Sequence, residues 1–323
     1  MRRWLIRGAI LCCLLVATIA IWGHHRANAR LTRTYATHTV SIPVPYPSPE
    51  TATTQTTSAT TPAEQLQRAI ARGRHLVMAR YGCADCHGED LGGGTMIDDP
   101  AIGNIFGPNL TSGEGGVTQN MTMADWDRII RHGVRRDGTA AIMPSQDFAD
   151  MSDQELSDIV AFIRSLPPVD RTMPARSFGP IGLVLVATGK FQLAAEHLAG
   201  IEDHIALPPD SGETIAFGKH LAATCRGCHG SALSGGPIIG GAPDWPPAAN
   251  LTPHEQGLAD WNYKQFAALM RTGNRPDGTR VRTPMDNVIA TTRNMSETEL
   301  RALWLYLQSL KPLATDQAIA GNP

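Results

Sequence analysis

The pentapeptide Cys-x-x-Cys-His occurs twice in this chain, as Cys83-Ala84-Asp85-Cys86-His87 and as Cys225-Arg226-Gly227-Cys228-His229, each followed by a glycine (Gly88, Gly230). Two thiols three positions apart beside an imidazole form the attachment signature of c-type haem. Each thiol can add to one vinyl group of the porphyrin, and the adjacent histidine is then held where its ring nitrogen reaches iron. A chain that encloses two such groups needs few helices, because the porphyrin supplies core that small helical domains cannot build alone. Other readings of the pattern exist. Structural zinc takes four N/S ligands, and the two motifs could share one ion, but the histidine after each pair is then unexplained. A redox dithiol of the thioredoxin kind starts a helix in a βαβ setting, and no such strand pattern flanks either copy.

The surroundings of the two motifs repeat at a spacing of about 140 residues. Asn109-Leu110-Thr111 corresponds to Asn250-Leu251-Thr252, Gly133 to Gly273, Asp137-Gly138-Thr139 to Asp277-Gly278-Thr279, and Ser165-Leu166-Pro167 to Ser309-Leu310-Lys311. One duplication explains every correspondence. Within each repeat the spacing predicts a first helix running into the motif, near 63–81 and 213–223. A middle helix starts at Thr122 with Asp125, or at Asn262 with Gln265, and stops at Gly133 or Gly273. A last helix opens on the capping boxes Ser152/Glu155 and Ser296/Glu299. Long Gly/Pro-rich loops join these helices, and no strand is expected.

Ahead of the repeats, Trp4 to Trp22 is apolar apart from Arg7 and follows Arg2 and Arg3. That length approaches the thickness of the bilayer hydrocarbon, with tryptophans where membrane interfaces favour them. Cys12 and Cys13 are ordinary apolar residues of this run. A cleaved signal peptide ending at Ala27-Asn28-Ala29 is the competing reading. Either way the bulk of the chain is exported. The segment from Val40 to Pro62 is rich in Thr, Ser and Pro and reads as an extended tether, or else as an arm lying on the first domain. The expected organisation is therefore an anchor or signal sequence over 1–30, a tether over 31–62, haem domains over 63–168 and 213–315, and an ordered connector over 169–212. A net charge of −2 gives no sign of a nucleic-acid partner.

His87 and His229 are the expected first axial ligands. On the opposite faces, Met143, which precedes Pro144, and Met285, which follows Pro284, are the candidates, since a thioether is a soft ligand that raises the reduction potential. Aligning Pro144 with Pro284 leaves the two methionines two residues out of register. Met151 and Met295 align with each other, but each stands just before a helix cap and is read as packing. His75, His132 and His220 are rival ligands in principle, although helix-surface histidines are more often simply solvated.

With these residues in place, the chain resembles the membrane-anchored dihaem cytochrome c family, whose members contain two class I-type cytochrome c domains. The likeness rests on both Cys-x-x-Cys-His motifs, both Asn-Leu-Thr segments, the Met143-Pro144 and Pro284-Met285 loops and the closing helices. It implies an all-α fold of two tandem domains, each wrapped around a covalent haem c, behind an N-terminal transmembrane helix. It also implies that the first and last helices cross at a glycine–aromatic contact, for which Gly73 with Phe162 and Gly218 with Tyr306 are the matching pairs. Two haem c groups would be held by Cys83, Cys86 and His87 with Met143, and by Cys225, Cys228 and His229 with Met285. The implied function is electron transfer outside the cytoplasmic membrane, between a dehydrogenase or reductase and an oxidase or soluble cytochrome, with the haem domains in the periplasm. On this reading the chain is a carrier or cytochrome subunit rather than an enzyme in its own right. The alternative is a dihaem redox enzyme, peroxidase or thiosulfate dehydrogenase-like, with one substrate-accessible haem. Against it stands a methionine candidate in each domain and the lack of any cysteine outside the motifs after residue 13.

Overall fold

The computed structural model describes residues 2–36, 38–47, 61–238, 241–242 and 244–315. Helix α1 (Arg2–Leu31) leads the chain, and most of its length projects free of the rest, with Trp4, Leu5, Leu11, Leu15 and Ile21 exposed. Only its C-terminal end is packed: Ala27 is fully buried with Val186 and Ala187. Residues 38–47, inside the segment expected to be a tether, instead lie along the first domain. Ile42 is buried, Val40, Val44 and Tyr46 pack beside it, and Pro43 O accepts a 2.6 Å hydrogen bond from Ser157 Oγ. Most of the Thr-rich stretch, 48–60, lies outside the described residues.

The first domain begins with α2 (Pro62–His75), capped by Thr61 and Glu64 in a capping box. It continues through a π-helical turn (Leu76–Arg80) into α3 (Cys83–His87). Helix α4 (Met123–His132) carries the expected Thr122/Asp125 box and ends at Gly133, whose φ of 65° only a glycine adopts without strain. A 3₁₀ turn (Ser145–Asp147) precedes α5 (Asp153–Arg164), which opens on Ser152/Glu155. Helices α2 and α5 cross at Gly73, where a Cβ would stand 1.9 Å from Asp158 O and 2.8 Å from the Phe162 Cβ. This is the glycine–aromatic contact that the resemblance implies.

Here the structure corrects the strand-free, all-α expectation. β1 (Gly94–Asp99) and β2 (Gly103–Gly107) pair antiparallel, and β3 (Ser177–Phe178), from the connector, adds to β2. The hairpin closes because Asp99 Oδ1 accepts from the amides of Ala101 (2.7 Å) and Ile102 (3.0 Å), an Asx turn. Short strands bracketed by glycines carry too little alternation to be seen as such in sequence.

The connector forms α6 (Pro180–Thr188) and α7 (Ala195–Leu198). Leu193 and Ala195 pack against Val134 and Ala140 of the first domain. The second domain repeats the first with α8 (Ile215–Leu221), α9 (Arg226–His229), α10 (Tyr263–Thr272) and α12 (Glu297–Ser309). Helices α8 and α12 cross at Gly218, where a Cβ would meet Ala302 O at 1.9 Å and the Tyr306 Cβ at 2.7 Å. One element has no counterpart: α11 (Met285–Thr292) is a full helix where the first domain makes only a 3₁₀ turn. Met285 follows the proline that starts this helix, whereas Met143 precedes the proline that starts the 3₁₀ turn.

The domains meet across a reciprocal contact. His75 of α2 faces Glu299 of α12 at 2.8 Å, and His220 of α8 faces Glu155 of α5 at 2.9 Å. These two histidines are therefore interdomain partners, contrary to the expectation that they are merely solvated. Arg80, in the π-helical turn, stands between the two carboxylates, 2.9 Å from Glu155 and 3.8 Å from Glu299.

Candidate functional site: two haem-attachment centres

In each domain the helix that carries the motif ends on a left-handed glycine. Gly88 (φ 81°) and Gly230 (φ 78°) turn the chain sharply after the histidine. A Cβ on Gly88 would approach Gly93 O at 2.7 Å. Each histidine is then oriented by one backbone oxygen. His87 Nδ1 lies 2.8 Å from Pro108 O, and His229 Nδ1 lies 2.7 Å from Ala249 O. A carbonyl can only accept, so Nδ1 carries the proton and Nε2 keeps its lone pair for a metal. His229 is buried and His87 partly buried, and burial lowers both pKa values despite the hydrogen bond.

The residue after each of these carbonyls begins the repeated Asn-Leu-Thr segment. Asn109 Nδ2 donates to Val169 O (2.7 Å), while its Oδ1 accepts from the amide (2.9 Å) and hydroxyl (2.8 Å) of Thr111. Asn250 does the same with Leu313 O (2.7 Å) and with Thr252 (2.8 Å each). Both asparagines are buried. The brace ties the loop after the motif to the chain leaving the last helix, and so fixes the carbonyl that holds the histidine. Repetition in sequence marked these residues without showing this use.

Cys83 and Cys225 are pushed up by burial to about 12 and about 11, and Cys86 and Cys228 are raised for the same reason. Reactive dithiols need the opposite shift, so the thioredoxin-like reading loses its basis. Nor do the motifs converge on a shared zinc: among the described residues, the one cluster of metal-binding type lies elsewhere.

A cavity of about 590 Å³ opens beside the first motif, lined by Cys83, Cys86 and His87 together with Met143, Trp126 and Ile130. It is large enough for a cofactor. Its wall is mainly apolar, yet Arg135, Arg136 and Arg176 also line it. Cations beside an apolar slot suit a flat hydrophobic group with two carboxylates, as a porphyrin has. Met173 and Arg176 come from the connector and were not foreseen, since nothing in the sequence ties that segment to the cavity. In the second domain, Met285 opens α11 and packs with Cys225 on that domain's core. Met151 and Met295 are buried in their respective cores.

The sequence pattern of the cytochrome c family matches residues 70–167 and again 215–311. The chain belongs to the cytochrome c family. Its two cytochrome c segments carry two covalently attached haem c groups. The chain is similar to the fructose dehydrogenase cytochrome subunit of Gluconobacter japonicus, 26% identical over 287 residues covering 81% of this chain and 57% of that protein. A comparable likeness, 26% over 280 residues, covers 77% of this cytochrome and 56% of the alcohol dehydrogenase (quinone) cytochrome c subunit of Gluconobacter oxydans. The diheme cytochrome c-type protein of Cereibacter sphaeroides is 26% identical over 261 residues, which cover 74% of this chain and 84% of the relative. The chain thus spans little more than half the length of the two dehydrogenase subunits.

Proposed function

We propose that this chain is an exported dihaem electron carrier in which Cys83 and Cys86, and Cys225 and Cys228, would hold the two haems, with His87 and Met143, and His229 and Met285, as the residues that would ligate the irons. When bound, each haem c supplies a one-electron iron couple. The observation that carries the reading is that both attachment motifs border one interdomain seam. Asp85, inside the first motif, accepts from Thr291 Oγ1 of α11 at 2.9 Å. Gly227, inside the second, packs so closely on Asp147 that a Cβ would lie 2.2 Å from Oδ1, and its neighbour Arg226 pairs with Asp150 at 2.9 Å. Each motif is thereby seated against the other domain, the arrangement that electron passage between two centres requires. The chain's own part is to orient the histidines through Pro108 O and Ala249 O, to exclude water with apolar walls, and to set potential through burial and ligand type.

Membrane anchorage belongs to the same proposal. Among the described residues α1 alone is long and apolar enough to cross a bilayer. Cleavage after Ala29 would remove the buried Ala27 from its packing against α6, which favours retention as a single-pass anchor over a cleaved signal. The haem domains then lie in the periplasm. The likeness to cytochrome subunits of fructose and alcohol dehydrogenases favours a dehydrogenase as electron donor, and an oxidase or soluble cytochrome completes the route.

The test is spectroscopic. The purified holoprotein is expected to be low-spin in both redox states, to show the methionine–iron charge-transfer band when oxidised, and to resist cyanide at rest. A high-spin haem that binds cyanide or peroxide readily would favour a dihaem enzyme with an open iron. Co-purification with a dehydrogenase from solubilised membranes tests the partner.

A further inference from the structure

A second set of metal-binding side chains lies apart from both haem motifs. His38, Asp127, His132 and His204 each offer one donor atom, and the four atoms lie within 4.8 Å of one another. They come from three segments: His38 from the arm after α1, Asp127 and His132 from α4, and His204 from the connector beyond α7. His132 Nε2 is 3.3 Å from Asp127 Oδ2 and 3.3 Å from His204 Nε2, and His38 Nε2 is 3.8 Å from the same Asp127 oxygen. Ligands bonded at about 2.0–2.1 Å in a tetrahedron stand roughly 3.3–3.4 Å apart. Two edges of the cluster already have that length.

The hydrogen-bonding pattern points the same way. His132 is fully buried, and its Nδ1 lies 2.9 Å from Leu198 O. The carbonyl accepts, so Nδ1 carries a proton and Nε2 is the ring nitrogen that faces the cluster. Asp127 is 1% exposed, and its Oδ1 accepts from Arg131 Nε at 2.6 Å. Its Oδ2, the atom facing the three imidazoles, has no hydrogen-bond donor, and neither does His38 Nδ1 have a partner. A buried carboxylate oxygen left without a donor is costly, and a cation at that point removes the cost.

We propose that His38, Asp127, His132 and His204 form a closed four-ligand site for a divalent transition metal, zinc by ligand type and number. Three imidazoles and one carboxylate suit zinc, and four protein ligands leave no open position, so the ion is structural. It would clip the arm emerging from α1 and the connector to the same face of α4. Neither haem motif contributes a ligand.

The experiment uses the full-length holoprotein, stripped with a chelator, dialysed with zinc and analysed for metals, with iron as the count of haem. The wild type is expected to hold one zinc for every two irons and to melt at a higher temperature with zinc than without. His204→Ala, on the connector, is expected to keep both irons, to bind zinc at least about 10-fold more weakly, since even outer-shell changes cost that much, and to lose the thermal response. His38→Gln, on the arm, is the companion variant and should behave alike. A wild type that takes up no zinc, or holds no more than the two variants with their irons intact, overturns the proposal and leaves a hydrogen-bonded histidine cluster.

Discussion

His220 of the second domain lies 2.9 Å from Glu155 of the first, and the duplicates of these residues, His75 and Glu299, make the same contact in the opposite sense at 2.8 Å. Each glutamate also closes the capping box of its own helix, through Ser152 or Ser296. One carboxylate therefore both starts a helix and docks a neighbour. The partners of Glu155, including Arg80 and His220, overcome burial and take its pKa down to about 2.

A glutamate depressed in the folded state contributes stability that is present above its unfolded pKa, near 4.5, and lost as pH falls through its folded value. Glu155 should therefore cost the protein on the order of 3 kcal/mol between about pH 4.5 and pH 2. Glu155→Gln keeps the capping box but lacks the charge. Acid titrations followed by circular dichroism should show the variant less stable at pH 6 and flatter than wild type in that window. Identical acid curves would refute the assignment.

Asn109→Ala should destabilise the first domain by about 2 kcal/mol, because Val169 O and the Thr111 groups lose a buried partner. As the brace positions Pro108 O, the variant should also disturb the His87 side of that haem. Redox titration and thermal melts of Asn109→Ala and Asn250→Ala, each read at its own haem, check this. Destabilisation without a change in either potential would confine the asparagines to a structural role.

Met143→Ala should lower the potential of the first haem and leave its covalent attachment intact. A drop on the order of 0.1–0.3 V is expected, a part of the ≈ 0.8 V that axial ligands span. Potentiometry with a haem stain on a denaturing gel separates the two effects. Met285→Ala should act likewise on the second haem alone.

Gly73→Ala and Gly218→Ala place a methyl group 1.9 Å from a backbone oxygen of the crossing helix. The helices must separate, at a cost of about 1–3 kcal/mol or more. Denaturant unfolding should show the loss, with the melt of the altered domain coming first.

Much of the framework was legible because its signals are local. The boxes Thr122/Asp125, Ser152/Glu155, Asn262/Gln265 and Ser296/Glu299 all form as read, and each lies within one turn of chain. Contacts between remote segments were not legible. The β1–β2 hairpin gains its third strand from the connector, and His38, Asp127 and His204 meet only once the arm and connector fold over α4. Helix α11 was missed because the repeat suggested a loop at Met285, where the chain in fact continues as helix through Thr292. His75 and His220 were read as solvated because a single helix does not reveal that its exposed face belongs to an interface.

The crossed histidine–glutamate pairs are isologous, the kind of contact two copies of one domain make about a twofold axis. Within one polypeptide that association no longer depends on dilution, since a linker holds the halves at millimolar effective concentration. Arg80 breaks the twofold: it reaches both glutamates, and the corresponding turn of the second half, Ala222–Cys225, supplies no arginine. The two halves are thus no longer interchangeable: the buried cation that neutralises the seam between them comes from the first half alone.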